Sequence, residues 1–245
     1  MQGRFYEAAE QARISLEEAV ATGYELTICH VLRLATCPVA FETGDLAAAE
    51  QGVAKLVDIA TRFNAPFWRS TGRCLEGKLK IAQGAFAAGS ALLRSELDAC
   101  ERTGWTTWYP EFLGVLAEGL AGLRRLPEAL ATVDRALAEA DQGGERYYAA
   151  ELLRLKGEFL VSEADGEHRP AIEDCFQTAL AVAREQGALL FELRTALSLG
   201  RWRIRLHLPE DARTILAPVY GRFVEGFDAA DLRAARALIA HIGDP

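Results

Sequence analysis

Apolar and polar positions along this chain alternate with the period of amphipathic helices. In residues 4–22, Phe5, Ala8, Ala12, Leu16 and Val20 fall near one face, the spacing of a helix that buries one side. Ala8, Ala49, Gly89, Ala129, Ile172 and Ala212 mark one recurring place, at intervals of 41, 40, 40, 43 and 40 residues. Fifteen residues past the first five stand Gly23, Asn64, Gly104, Gly144 and Gly187, residue types that tolerate the left-handed conformation after a helix. Cys37, Gly77, Ala117, Gly157 and Gly200 precede the later five anchors and are small enough for helices to cross closely. A helix pair of about 40 residues therefore repeats along the chain.

Each repeat reads as an outer helix bearing the anchor, a Gly or Asn stop, and an inner helix bearing the small residue. The spacing predicts an unpaired outer helix over 4–22 and helix pairs over about 25–63, 66–103, 106–142, 145–187 and 188–217. Pro66, Pro110, Pro127, Pro170 and Pro209 sit in first turns, where proline costs no internal hydrogen bond. Pro38 falls inside an inner helix and is expected to kink or break it. A long turn, Glu163 to Arg169, accounts for the 43-residue interval, and an irregular linker follows Pro218. A capping helix is expected over 229–242, with Leu232, Ala235, Leu238, Ile239 and Ile242 on its apolar face. The fold class that follows is all-α: a right-handed α-α superhelix forming one solenoid domain over 1–245.

Composition narrows the function classes. At 245 residues a single central core would be near its upper size, whereas a solenoid grows by stacking. No apolar run reaches 18 residues, and the N-terminus carries no basic segment followed by an apolar one, so neither a membrane span nor a secretory signal is expected and cytoplasmic residence is the default. Five scattered cysteines without a C-x-x-C pair argue against a disulfide framework. A net charge of −8 opposes non-specific nucleic-acid binding. Only Lys55, Lys78, Lys80 and Lys156 among the 27 basic residues are lysines, leaving an arginine-rich set suited to forked ion pairs between helices.

Linear motifs for chemistry are thin. Gly72 to Lys78 approaches the phosphate-binding G-x-x-x-x-G-K pattern, but Leu79 stands where Ser or Thr should bind Mg²⁺, and the stretch lies in a predicted helix without a preceding strand. The four histidines stand far apart, and neither H-E-x-x-H nor G-x-S-x-G occurs. Catalysis, a metal and a cofactor are all unexpected.

Helix pairs with a small residue in the first helix and alanine in the second resemble tetratricopeptide repeats, as in Glu128 to Leu137 and Cys175 to Ala183. The stretches Tyr148 to Glu158, Leu193 to Leu199 and Leu216 to Asp228 resemble the terminal repeats of large bacterial signalling proteins, in which a cyclase-homology or DNA-binding output domain accompanies a signal-transduction ATPase. That resemblance implies a sensor or regulatory end that binds protein and marks the chain as a fragment or stand-alone relative. His207-Leu-Pro209 departs from the glycine-containing turn of that family. Asn64 is the single asparagine, which argues against a carboxylate clamp built from asparagines and lysines.

The candidate binding residues form a charge pattern on inner helices. Glu111 and Glu118 are seven residues apart, Glu151 and Glu158 repeat the spacing, Arg194 and Arg201 follow, and Thr71 and Lys78 fill the same slots earlier. Two readings stand. Either these residues line a concave groove for a protein segment, with Arg203 and Arg205 enlarging its basic end, or Glu151 pairs with Arg194 and Glu158 with Arg201 to tie the stack. Trp68, Trp108, Tyr148 and Phe191 recur as an inter-repeat packing row, while Trp105 and Tyr147 are surplus to it and are candidate anchors. Two alternatives to a protein-segment site remain: a small-molecule effector pocket around Trp68, Trp108 and Glu111, and a homodimer built on Phe5, Ala12 and Leu16.

Overall fold

The structure, a computed structural model, describes residues 3–163 and 169–243, and every regular element among them is helical. In chain order these are α1 (Phe5–Thr22), α2 (Glu25–Val31), a π turn (Leu32–Thr36), α3 (Cys37–Thr43), α4 (Leu46–Arg62), α5 (Pro66–Ala82), α6 (Phe86–Thr103), α7 (Tyr109–Gly122), α8 (Leu126–Gly143), a 3-10 turn (Arg146–Tyr148), α9 (Ala149–Glu163), α10 (Arg169–Glu185), α11 (Leu189–Arg205), α12 (Pro209–Tyr220) and α13 (Ala230–Gly243). No described helix is long and apolar enough to cross a membrane. Residues 164–168, the middle of the expected long turn, lie outside the described residues.

The helices end by one recurring device. Gly44, Asn64, Gly84, Gly104, Arg124, Gly187 and His207 all have positive φ. In each case the following residue donates its N–H to a carbonyl five positions back, as in Ala65 to Ala60, Trp105 to Cys100 and Leu208 to Arg203. This is the Schellman closure, which satisfies carbonyls left over at a helix end. His207 adopts the same left-handed backbone as the glycines, so the turn keeps its shape despite the substitution. A row of stops at 44, 84, 124 and 207 thus accompanies the predicted one, and it ends inner helices instead of outer ones.

The chain divides into two compact units, Phe5–Arg125 and Leu126–Pro245, with Met1–Arg4 belonging to the second. In the first, α1 packs on α2, the π turn and α3, and α3, α4, α5 and α6 each pack on the next helix. Phe5 and Ala12 are buried and Leu16 half-buried. The face expected to remain open for a second copy is therefore largely covered, because the segment after Gly23 folds back over α1. In the second unit α8 to α13 also pack in succession, and α13 lies on both α11 and α12, with Leu232 and Ala235 buried as befits a capping helix.

Two proline expectations change. The backbone stays in the right-handed helical region from Val31 through Cys37, so Pro38 does not break the helix. Instead the preceding π turn widens the helix, and such turns accommodate an interrupted hydrogen-bond ladder. α12 continues past Pro218 to Tyr220, two residues beyond the expected linker start.

The small positions do allow close crossing. A Cβ added at Gly77 would collide with Leu93 and one at Gly89 with the Gly77 carbonyl, so α5 and α6 touch through bare backbone. The anchors Ala49, Ala129, Ile172 and Ala212 are fully buried. Helix-on-helix packing at these points excludes water from both surfaces, which is the main favourable contribution in a solenoid without a central core.

Candidate functional site

In the first unit α5, α7 and the π turn converge on one buried carboxylate. Glu111 opens α7 and is 5% exposed. Its Oε2 accepts from Arg33 Nη2 at 2.5 Å, and its Oε1 accepts from Lys78 Nζ at 3.1 Å. Aromatic rings cover both cations: Arg33 lies 4.4 Å from the Trp108 ring centre and 5.4 Å from Phe112, and Lys78 lies 4.9 Å from Phe41. Rings shield the cluster from water and their faces attract the cations. Trp108 holds its indole there from a left-handed backbone, φ 62°, at the residue before α7. For so bulky a side chain that conformation is an outlier, sustained by the packing around it. Thr71 donates to the Phe67 carbonyl one turn back and is likewise buried.

Trp108 continues into an aromatic cluster. Its ring centre is 6.1 Å from Trp68 and 5.7 Å from Phe67, Phe67 meets Trp105 edge-on at 5.6 Å, and Trp68 meets His30 at 4.5 Å. The enclosed cavity lined by Phe67, Thr71, Trp105 and Phe112 holds only about 10 Å³, so the region is packed. Trp68 and Glu111 are themselves buried, and Trp108 is half-buried.

In the second unit the corresponding carboxylate, Glu151, is 3% exposed and pairs with Arg154 at 2.7 Å. Arg154 also reaches Glu158 at 2.9 Å, and Ser198 on α11 donates to Glu158 at 2.5 Å. Arg194 pairs with Asp231 on α13 at 2.7 Å, and Arg203 with Glu173 on α10 at 2.5 Å. Arg201 and Arg205 are exposed. Glu158 is thus held by Arg154 and Ser198 in place of the anticipated Arg201. Tyr148 packs edge-on against Phe191 at 5.5 Å, and Tyr147, 40% exposed, leans on Tyr148.

The predicted set therefore separates into two groups. Thr71, Glu111 and Glu151 are buried, and a partner on the surface does not reach them. Lys78, Glu118, Glu158, Arg194, Trp105 and Trp108 are partly exposed, and Tyr147, Arg201 and Arg205 are exposed. Sequence reasoning missed Arg33, Arg154 and Ser198. Arg154 was findable, standing three residues after Glu151 and four before Glu158 on one helix. Arg33, 78 residues from Glu111, left no local signal.

It also missed a surface cleft of about 290 Å³ lined by Pro66, Arg69, Ser70 and Arg73 of α5, Glu96, Ala99 and Thr103 of α6, and Trp105. Glu96 accepts from Arg73 Nε at 2.5 Å and from Ser70 at 2.6 Å. The hydrogen bond to Glu96, helped by its charge, keeps the Arg73 guanidinium more firmly protonated than usual. The near-phosphate-loop stretch Gly72 to Lys78 runs through α5, where Gly72 and Gly77 make close helix contacts. The cysteines Cys37 and Cys74 are buried beside this region, and burial pushes the Cys37 thiol up to about 12.

No protein-family model matches this chain, and no curated protein is similar to it in sequence. Among solved structures, the crystal structure of the apo form of RapI is similar, with a TM-score of 0.68 at 14% identity over 90% of this chain and 78% of that one. At that identity the likeness is one of fold: the chain is an all-α helical-repeat protein whose helices pack in consecutive pairs.

Proposed function

We propose that this chain is a non-catalytic regulatory module that recognises a segment of another protein, as the resemblance to the sensor end of bacterial signalling proteins implies. The observation that carries the reading is the surface where α5, α6 and the loop between α6 and α7 meet. There Phe67 and Trp105, at the edge of the aromatic cluster, stay half-exposed beside the cleft, and Arg69 lies in the open. Half-exposed aromatics and arginines are the side chains from which interface anchors are most often made. A helical-repeat scaffold supports the same role, because it presents side chains from successive helices on a rigid surface.

A display selection tests it: a random peptide library panned on the purified chain, with an unrelated helical protein of similar charge as the counter-target. The expected result is a family of peptides that compete with one another and protect α5 to α7 from hydrogen exchange. Failure to enrich any sequence over the counter-target overturns the proposal.

A further inference from the structure

Resting on that reading, we infer that the cleft between α5 and α6 is a recognition site for an acidic peptide segment, with a carboxylate on Arg69 and Arg73 and a neighbouring apolar side chain on Trp105. Arg69 is exposed and forms no ion pair with any described residue. Arg73, four residues on and one helical turn away, engages Glu96 through Nε, while its side chain remains 42% exposed. A guanidinium carries five N–H donors, so the donors not held by Glu96 remain for a second acceptor. Ser70 and Arg73 together occupy both oxygens of Glu96, which fixes the Arg73 side chain before any ligand arrives. Such prior ordering lowers the entropy cost of binding.

Charge selects the ligand's sign. Arg69, Arg73 and Glu96 are the charged residues lining the cleft, leaving one positive charge in excess on a chain whose net charge is −8. A local basic cleft on an acidic protein attracts an acidic segment and repels a basic one, which gives specificity more than raw affinity. The apolar part of the lining, Pro66, Ala99 and the Trp105 ring, accepts a side chain next to that carboxylate. Trp105 is itself braced edge-on by Phe67, so its exposed face is held in place for contact.

The test is fluorescence anisotropy with a fluorescein-labelled octapeptide of alternating glutamate and phenylalanine, against an analogue with lysine in place of glutamate. The expected result is binding of the acidic peptide that weakens as salt is raised. Arg69→Glu should weaken it at least tenfold and Trp105→Leu several-fold, while Arg213→Glu, on an exposed arginine of α12, should leave it unchanged. The Arg69 side chain has no ion-pair partner among the described residues, so circular dichroism of Arg69→Glu should match the parent. Equal binding of the lysine peptide, or unchanged affinity in Arg69→Glu, overturns the inference. Loss in Arg213→Glu instead overturns it too, yet leaves the segment-binding function standing with a different site. No binding of the acidic probe, when panning enriches non-acidic peptides, also sinks the inference alone; no binding and no enrichment sinks both.

Discussion

Glu111 and Glu151 stand forty residues apart in the same place of successive repeats, and both are buried, yet they are neutralised in opposite ways. Glu111 sits between two cations brought from other helices, Arg33 and Lys78, which lie 78 and 33 residues away in sequence. Glu151 meets Arg154 three residues along its own helix, and Arg154 is shared with Glu158, so there one cation sits between two carboxylates. The first arrangement ties the π turn, α5 and α7 together. The second stays largely on α9, with Ser198 as its link to α11. The difference teaches that one slot with one residue type does not imply one role. What the slot does depends on which neighbour reaches it, and a buried charge left without its partner is far more costly than an exposed one.

The strongest way to break this comparison is to neutralise the two carboxylates in turn. Glu111→Gln leaves a buried Arg33 and a neighbouring Lys78 without their shared anion and should cost about 3–5 kcal/mol. Glu151→Gln leaves Arg154 with Glu158 still in reach and should cost less, about 1–3 kcal/mol. Urea unfolding reads both. Tryptophan fluorescence follows both units, weighted to the first, which holds Trp68, Trp105 and Trp108 against Trp202 in the second, and far-ultraviolet circular dichroism follows the whole chain. Equal losses would mean that the long-range cations add nothing.

A second contrast lies in the small positions. At Gly77 an added Cβ meets Leu93 and the Gly89 carbonyl, so Gly77→Ala should destabilise by about 1–3 kcal/mol through overpacking. At Gly200 the nearest atom is Leu238 Cδ2 at 3.5 Å, an ordinary contact. Gly200→Ala should therefore stabilise α11 by about 0.5–1 kcal/mol, the gain of alanine over glycine within a helix. Thermal unfolding midpoints moving the same way in both variants would refute the assignment of close crossing to Gly77.

The cysteines sharpen the contrast further. Cys29, Cys37, Cys74 and Cys100 are in the first unit and Cys175 in the second, and burial raises all five thiols. Cys29 is raised to about 11 and Cys37 to about 12 from an ordinary 9.0. The sign follows from proton counts. Above about pH 9 the unfolded chain loses thiol protons that the folded chain keeps, so stability is fully present below that pH and falls as pH rises towards 11–12. Urea midpoints at pH 8 and pH 10 should show the loss. Replacing Cys37 and Cys74 by alanine should flatten the dependence, and an unchanged slope would assign it to other groups.

The smallest effect is expected at Glu158, whose side chain is 40% exposed. Glu158→Gln should cost less than about 1 kcal/mol, because water screens such pairs. A loss comparable to that of Glu151→Gln would show that Arg154 depends on both carboxylates.

Much of the scaffold was legible in the residues. The five stops at Gly23, Asn64, Gly104, Gly144 and Gly187 all have left-handed backbone, a local property of glycine and asparagine. Arg124 and His207 adopt the same conformation without being residues that invite it, so those stops were hidden. Pro38 suggested a break, and the π turn before it supplied an alternative that single-residue propensities do not encode. Among the candidate binding residues, helical spacing grouped Glu151 with Glu158 but overlooked Arg154 between them. It offered Thr71, Glu111 and Glu151 as a groove lining, whereas packing buries all three. The cleft at Arg69 and Trp105 draws on two helices and the loop after them, and no linear motif spans them.

The sequence by itself determined the helical repeat, its period of about 40 residues, the stops and the small crossing points, because these depend on backbone conformations and side-chain volumes that each residue carries alone. Only the tertiary structure decided which charges face one another, which aromatics are sealed and which remain at the surface. Those outcomes depend on the rotation of each helix about its axis, which a π turn at residues 32–36 alters, and on distances of a few ångströms between residues many turns apart in the chain.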